Sequence, residues 1–178
     1  MNKRLWLTLW GICLVMCLMI VIQGKKRTPL GHAQIQMVTI FHGQALSPLL
    51  NELSDAFMFE HPDIAVRREA VSNQDCIDKL LDPNHPCDLV VSTDPNLVET
   101  LLIHEHIDKH IRFARHTDLR GTQKPVICSV ALANQAPQPD AAKLWIQYLL
   151  SEKAAAILEN NGLLPIVPAA IIRDLERQ

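Results

Sequence analysis

Several signatures of common function classes are missing from this chain. Its 178 residues carry a formal net charge of only -2, which leaves no basic field to attract nucleic acid. There is no Gly-rich P-loop, no G-x-G-x-x-G turn and no G-x-S-x-G elbow, so the nucleotide-binding and hydrolase chemistries built on those turns have no footing here. No C-x-x-C pair occurs, so neither a zinc ribbon nor a thioredoxin-type centre is indicated. Internal repeats and low-complexity tracts are absent too, and the six glycines and eleven prolines are scattered as punctuation. The residues point to no enzyme and require no cofactor.

What is present begins with Met1-Asn2-Lys3-Arg4, followed by an uncharged apolar run from Leu5 to Ile22. Such a run can just cross a bilayer core, which needs roughly 17–25 helical residues. A cleaved signal has a shorter core, about 7–15 residues, and a small-residue site such as A-x-A. The sequence Ile22-Gln23-Gly24 offers no such site. Residues 1–24 are therefore expected to be an uncleaved signal anchor, a transmembrane helix, with 25–34 a linker and 35–178 a separate domain. Lys3 and Arg4 on one flank and Lys25, Lys26 and Arg27 on the other leave the orientation tied on charge alone. Export of the C-terminal part is the usual behaviour of such a segment.

Cys13 and Cys17 lie in the apolar run, and Cys76, Cys87 and Cys128 lie beyond it. Three thiols allow at most one disulfide. A Cys76–Cys87 bridge would close a short loop worth about 2–3 kcal/mol. The alternative is three buried free thiols.

Periodicity then alternates. Met37 to Phe41 is a β-branched strand. Leu46, Leu49, Leu50, Leu53 and Phe57 recur at helical spacing, so 47–59 is an amphipathic helix, with Ser47 as N-cap and Pro48 at its first position. Ile64 to Val71 is a second strand and Asp75 to Leu81 a short helix. Cys87 to Ser92 is an apolar run with one acid, as expected of a strand covered on both faces. Asn96 to His104 is helical, Ile111 to Ala114 and Pro125 to Leu132 are strands, and Asp140 to Asn160 is a helical region with a break near Ser151. Gly162 follows as the C′ glycine, and Ile171 to Gln178 is a last short helix. This order predicts an α/β domain with a mostly parallel sheet and helices on both faces. Ligands in such folds bind beyond the carboxyl ends of the strands, at helix N-termini. Three segments matter on that rule: His42 to Ser47, Val71 to Asp75, and Ser92 to Asn96.

At these segments the chain resembles the periplasmic molybdate/tungstate-binding proteins, particularly their archaeal-type tungstate-binding branch. The stretches that carry the resemblance are VTIFHGQALSPLLNELSDAFMFEHPDIAVRREA, CDLVVSTDPNLVETLL with IRFAR, and GTQKPVICSVALANQAPQPDAAKLWIQYLLSEKAAAILENNGLLPIVP. The last is the most specific. The resemblance implies one lobe of a type II periplasmic-binding-protein fold, an extracytoplasmic location, and an ABC permease as partner. It also implies that a long segment, which builds most of the second lobe in the family, is reduced here to the few residues between Arg115 and Arg120.

The ligand positions that the resemblance carries over are His42, Gly43, Gln44, Ala45, Ser47, Ser72, Asn73 and Asp94. Several differ from the family. Ala45 stands where a serine binds the oxyanion, Ser72-Asn73 stands for Gly-Ser, and Asp94-Pro95 brings a negative charge and a residue without an N–H. A dianion needs several aligned donors in a water-excluded cleft. One lobe supplies about half of these, so weak oxyanion binding or none is expected. Two other readings stay open. The lobe could have lost its ligand and dock on a partner or on a second copy. Alternatively, His104, His106 and His110 in H-E-H-I-D-K-H could hold a metal ion. No single regular structure aligns all three imidazoles, and a solvated helix end is the bland reading of that segment.

Overall fold

The computed structural model describes residues 35–116 and 125–166. The chain divides into Met1–Gln34 and Ile35–Gln178, and every described residue belongs to the second part. The expected anchor at 1–24, the linker at 25–34 and the short helix at 171–178 lie outside the described residues. Among the described residues, no helix is long and apolar enough to cross a membrane.

The elements run β1 (Gln36–His42), α1 (Ser47–Glu60), β2 (Ile64–Ala70), α2 (Asn73–Leu81), β3 (Leu89–Ser92), α3 (Pro95–Ile103), β4 (Ile107–His116), β5 (Val126–Ala133), α4 (Pro139–Leu149), α5 (Glu152–Asn160) and β6 (Leu164–Pro165). The strands form a sheet in the order β2-β1-β3-β5-β4-β6. A 3-10 turn, Gln44–Leu46, precedes α1.

The sheet is mixed, which corrects the expectation of a mostly parallel one. β1 pairs in parallel with β2 and β3, while β5 is antiparallel to both β3 and β4, and β6 is antiparallel to β4. The cause is the connection between β4 and β5. Strands joined by a helical crossover return in the same direction, so β1 to β4 all point one way. The segment from His116 to Val126 is too short for a crossover helix, so β5 folds back beside β4. It enters the sheet between β4 and β3.

Side-chain alternation explains the two faces. Val38 and Ile40 of β1, Leu89 and Val91 of β3, and Cys128 and Val130 of β5 share a core with α1, α4 and α5. On the opposite face, Phe41, Val90 and Ala131 pack with Cys76 of α2 and with Leu97, Val98 and Leu101 of α3. β1 and β3 are buried along most of their length because both faces are covered, whereas β2 is a half-exposed edge strand. Arg68 braces that edge, donating through Nη1 to Asn51 O at 3.1 Å and Asp55 Oδ1 at 3.3 Å on α1.

The one acid in the central run is structural. Asp88 is 1% exposed and accepts from Thr39 N at 2.8 Å and Gln138 N at 2.6 Å. It thereby ties β1 to the residue preceding α4. Burial pushes its carboxyl above the usual carboxylate range, partly offset by these two hydrogen bonds. The break expected near Ser151 is present. α4 stops at Leu149, and Ser151 Oγ accepts from Ala154 N to cap α5. Gly162 takes φ +74°, the left-handed conformation expected of a C′ glycine. Cys76, Cys87 and Cys128 are free and buried, so the thiol alternative holds rather than the bridge.

Two local expectations are corrected. Ser47 is not the N-cap of α1. The preceding 3-10 turn already sets helical geometry, so Ser47 has φ -53° and ψ -48° and its N–H donates to Gln44 O. Leu46 occupies the N-cap position without a side-chain bond. The H-E-H-I-D-K-H segment is not a helix end throughout. His104 closes α3, Glu105 turns the chain with φ +56°, and β4 begins at Ile107.

Candidate functional site

β1, β2 and β3 are adjacent and parallel, so their carboxyl ends open on the same side of the sheet. The ends of these strands and the segments that follow them carry every candidate ligand position named from the resemblance. Each loop leads into a helix whose first N–H groups lack a preceding carbonyl. This places His42–Ser47, Ser72–Asn73 and Asp94 around one crevice rim.

The side chains there are largely engaged with one another. His42 is 4% exposed, and its Nδ1 donates to Gly43 O at 3.0 Å. Its carbonyl accepts from Val71 N at 2.9 Å, which ties the first loop to the second. His42 therefore packs under its own turn rather than projecting a donor into the crevice. Gly43 has an ordinary φ of -67°, and a Cβ built there meets nothing within 4 Å. Gln44 and Ala45 are exposed and Ser47 is half-buried.

Ser72 caps α2. Its Oγ accepts from Asp75 N at 3.1 Å and donates to Asp75 Oδ2 at 2.7 Å. Its hydroxyl is thus engaged inside its own helix, which starts at Asn73 and not at Asp75. Asp94 caps α3 by accepting from Asn96 N at 2.9 Å, and its own N–H donates to Ser92 Oγ at 3.0 Å. Its other carboxylate oxygen accepts from Asn73 Nδ2. The second and third loops are therefore joined directly, by an acid and an amide.

Beside Asp94 the rim opens into a groove of about 480 Å³. One wall is a face of α3 carrying Pro95, Val98, Glu99 and Leu102, at helical spacing. The opposite side is formed by β4 and β5, with exposed Arg112, half-buried His110 and Ile127, and buried Ser129. Arg112 pairs in register with Ser129 and His110 with Ala131. Burial and the nearby Arg112 guanidinium hold the His110 imidazole below its usual range. Sequence reasoning missed Glu99 and Arg112. The signal was there in the alternation His110-Ile111-Arg112-Phe113, which puts the two bases on one strand face.

The three histidines do not converge. His104 and His106 have ring centroids 6.2 Å apart, while His110 lies along β4 on the groove. Among the described residues, no group of three or more His, Cys, Asp or Glu side chains is arranged to hold a metal ion.

The family profile described as "Bacterial extracellular solute-binding protein" matches residues 117–164. An uncharacterized solute-binding protein from Petrotoga mobilis is 29% identical over 79 residues, which are 44% of this chain and 25% of that protein. The matched stretch thus spans about a quarter of the curated relatives. Among solved structures, the tungstate-binding protein of Desulfovibrio alaskensis superposes with a TM-score of 0.62 at 8% identity. It covers 75% of this chain and 100% of that one. The periplasmic molybdate-binding protein of Azotobacter vinelandii gives 0.59 at 9% identity, over 74% and 99% of the two chains. At these identities the likeness is one of fold.

Proposed function

We propose that Ile35–Gln178 is the ligand-facing lobe of an extracytoplasmic solute-binding protein of the ABC-importer type. The apolar segment within residues 1–24 tethers it to the membrane through the linker at 25–34. It works by binding, without covalent chemistry, and presents a small solute to a permease. The observation that carries this reading is the convergence of three strand-to-helix loops, His42–Ser47, Ser72–Asn73 and Ser92–Asn96, at one end of the sheet. Helix N-termini collected in this way suit an oxyanion such as molybdate or tungstate. This chain supplies a single wall of the cleft, so the ion keeps much of its hydration and the affinity is low. Isothermal titration of the purified full chain with molybdate, tungstate, sulfate and phosphate tests the reading. Heat at millimolar ligand or below supports it, and no heat with any of the four ions removes it.

A second reading has one contact in its favour. The hydrogen bond from Asn73 to Asp94 engages a donor amide and places a carboxylate on the rim. A lobe that has given up its solute and become an interaction module would be built in this way.

A further inference from the structure

Building on the reading that this chain supplies only one wall of its cleft, we propose that a second copy of the same chain covers the groove between α3 and the β4–β5 hairpin, about a two-fold axis running along the groove. The walls of this groove have opposite signs. Asp94 and Glu99 stand on the α3 side, and the Arg112 guanidinium on the strand side. Among the described residues, neither Glu99 nor Arg112 takes part in an ion pair. Both walls also carry apolar lining, Val98 and Leu102 from α3 and Val126 and Ile127 from β5. Val126 remains 44% exposed. Among the described residues, the apolar core on this face of the sheet includes Ala131 and Ile107 but not Arg112, which is exposed.

The choice of occupant follows from shape and charge. A small solute resting here would keep its outer side in water, because Pro95, Glu99, Arg112 and Val126 at the rim are all exposed. A second copy turned about an axis along the groove lays its α3 wall over the first copy's strand wall. Arg112 then meets Glu99 of the partner subunit, and by symmetry the same pairing forms twice. Rotation about the perpendicular in-plane axis would oppose like charges, so the pattern also selects the orientation. The apolar lining of both grooves is enclosed together, and the cleft gains the wall it lacks.

The test is self-association of the full chain in a mild detergent, by light scattering with the detergent mass subtracted, at about 50 mM salt, where charge pairs are least screened. Wild type should be dimeric. Arg112→Glu and Glu99→Arg should each weaken dimerisation by about tenfold or more. An equimolar mixture of the two variants should recover it as a heterodimer, and so should the double charge swap. Arg112→Gln and Glu99→Gln provide milder versions if a reversal disturbs folding, which circular dichroism checks. A monomeric wild type overturns the proposal. So does a dimer indifferent to both single changes, or a mixture that associates no better than its components. Oxyanion titration is a separate readout. A charge-dependent dimer that gives no heat with any oxyanion keeps this interface and removes the transport reading, and heat from a monomeric chain does the reverse.

Discussion

Asn73 donates through Nδ2 to Oδ2 of Asp94, joining the loop after β2 to the loop after β3 across the end of β1. Asn73 is exposed and Asp94 partly so, and the direct worth of the pair to stability is small. Its effect on electrostatics is larger, because a carboxylate stands on the rim that three helix N-termini would otherwise offer to an incoming anion. A second negative charge brought there is repelled.

Asp94→Asn should therefore raise oxyanion affinity. Asparagine caps a helix about as well as aspartate, so α3 keeps its bond to Asn96 N while the charge is lost. Titration with sulfate and molybdate should give tighter binding than wild type with little change in the urea midpoint. Asp94→Ala removes the cap as well and should cost about 0.5–2 kcal/mol of stability. Unaltered anion affinity in both variants would show that Asp94 does not govern access.

Asp88 should give the fold a pH dependence on the acid side. Its folded carboxyl lies above the ordinary value of 3.8, so the native state holds this proton more tightly than the unfolded chain. Its contribution to stability is greatest below the unfolded value and declines as pH rises through the folded one. Urea unfolding of wild type and Asp88→Asn between pH 3.5 and 7 checks this. The variant should be less stable throughout, since an amide offers one acceptor oxygen to Thr39 N and Gln138 N. The difference between the two proteins should shrink as pH rises. A gap that widens with pH would contradict the sign.

The buried thiols should be inert while the chain is folded. Burial pushes Cys76 up to about 12 and Cys128 up to about 11, and it pushes Cys87 higher still. Thiolate is the reactive form, so alkylation by iodoacetamide at pH 8 should be slow. Peptide mass spectrometry should find Cys76, Cys87 and Cys128 unmodified in native protein and fully modified in urea. Rapid labelling of Cys76 would indicate that α2 opens from the sheet.

Leu53 is fully buried in the core between α1 and the sheet. Leu53→Ala should cost about 2–5 kcal/mol, read as a lowered urea midpoint with an unchanged slope. An unchanged midpoint would mean that α1 does not seal this face.

Much of the fold was legible because the chain alternates cleanly through β1, α1, β2, α2, β3 and α3. Helical spacing at Leu49, Leu50, Leu53 and Phe57 and the apolar run around Val90 were enough. The direction of β5 was harder to read, since parallel and antiparallel strands buried on both faces look alike in composition. β4 was underestimated because His104 to His110 is largely polar and carries no clean apolar alternation. At the rim, the three loops follow the carboxyl ends of β1, β2 and β3, an arrangement that the strand–helix alternation made legible. The partners of the side chains were not. Asn73 and Asp94 are 21 residues apart and meet only through the sheet order, and the hydroxyl of Ser72 goes to Asp75 rather than to a ligand.

The position of β5 bears on how the polypeptide acquires this shape. β3 sits between β1 and β5, and β5 is the later of those neighbours to leave the ribosome. Until residues 126–133 have emerged, one side of Leu89–Ser92 presents unsatisfied amides and an apolar surface. A nascent chain halted before that point holds its most buried strand as an open edge, the kind of template on which chains aggregate. Closure of the sheet therefore waits on its C-terminal third, and substitutions that weaken β5 should lower the yield of soluble protein out of proportion to their effect on the finished molecule.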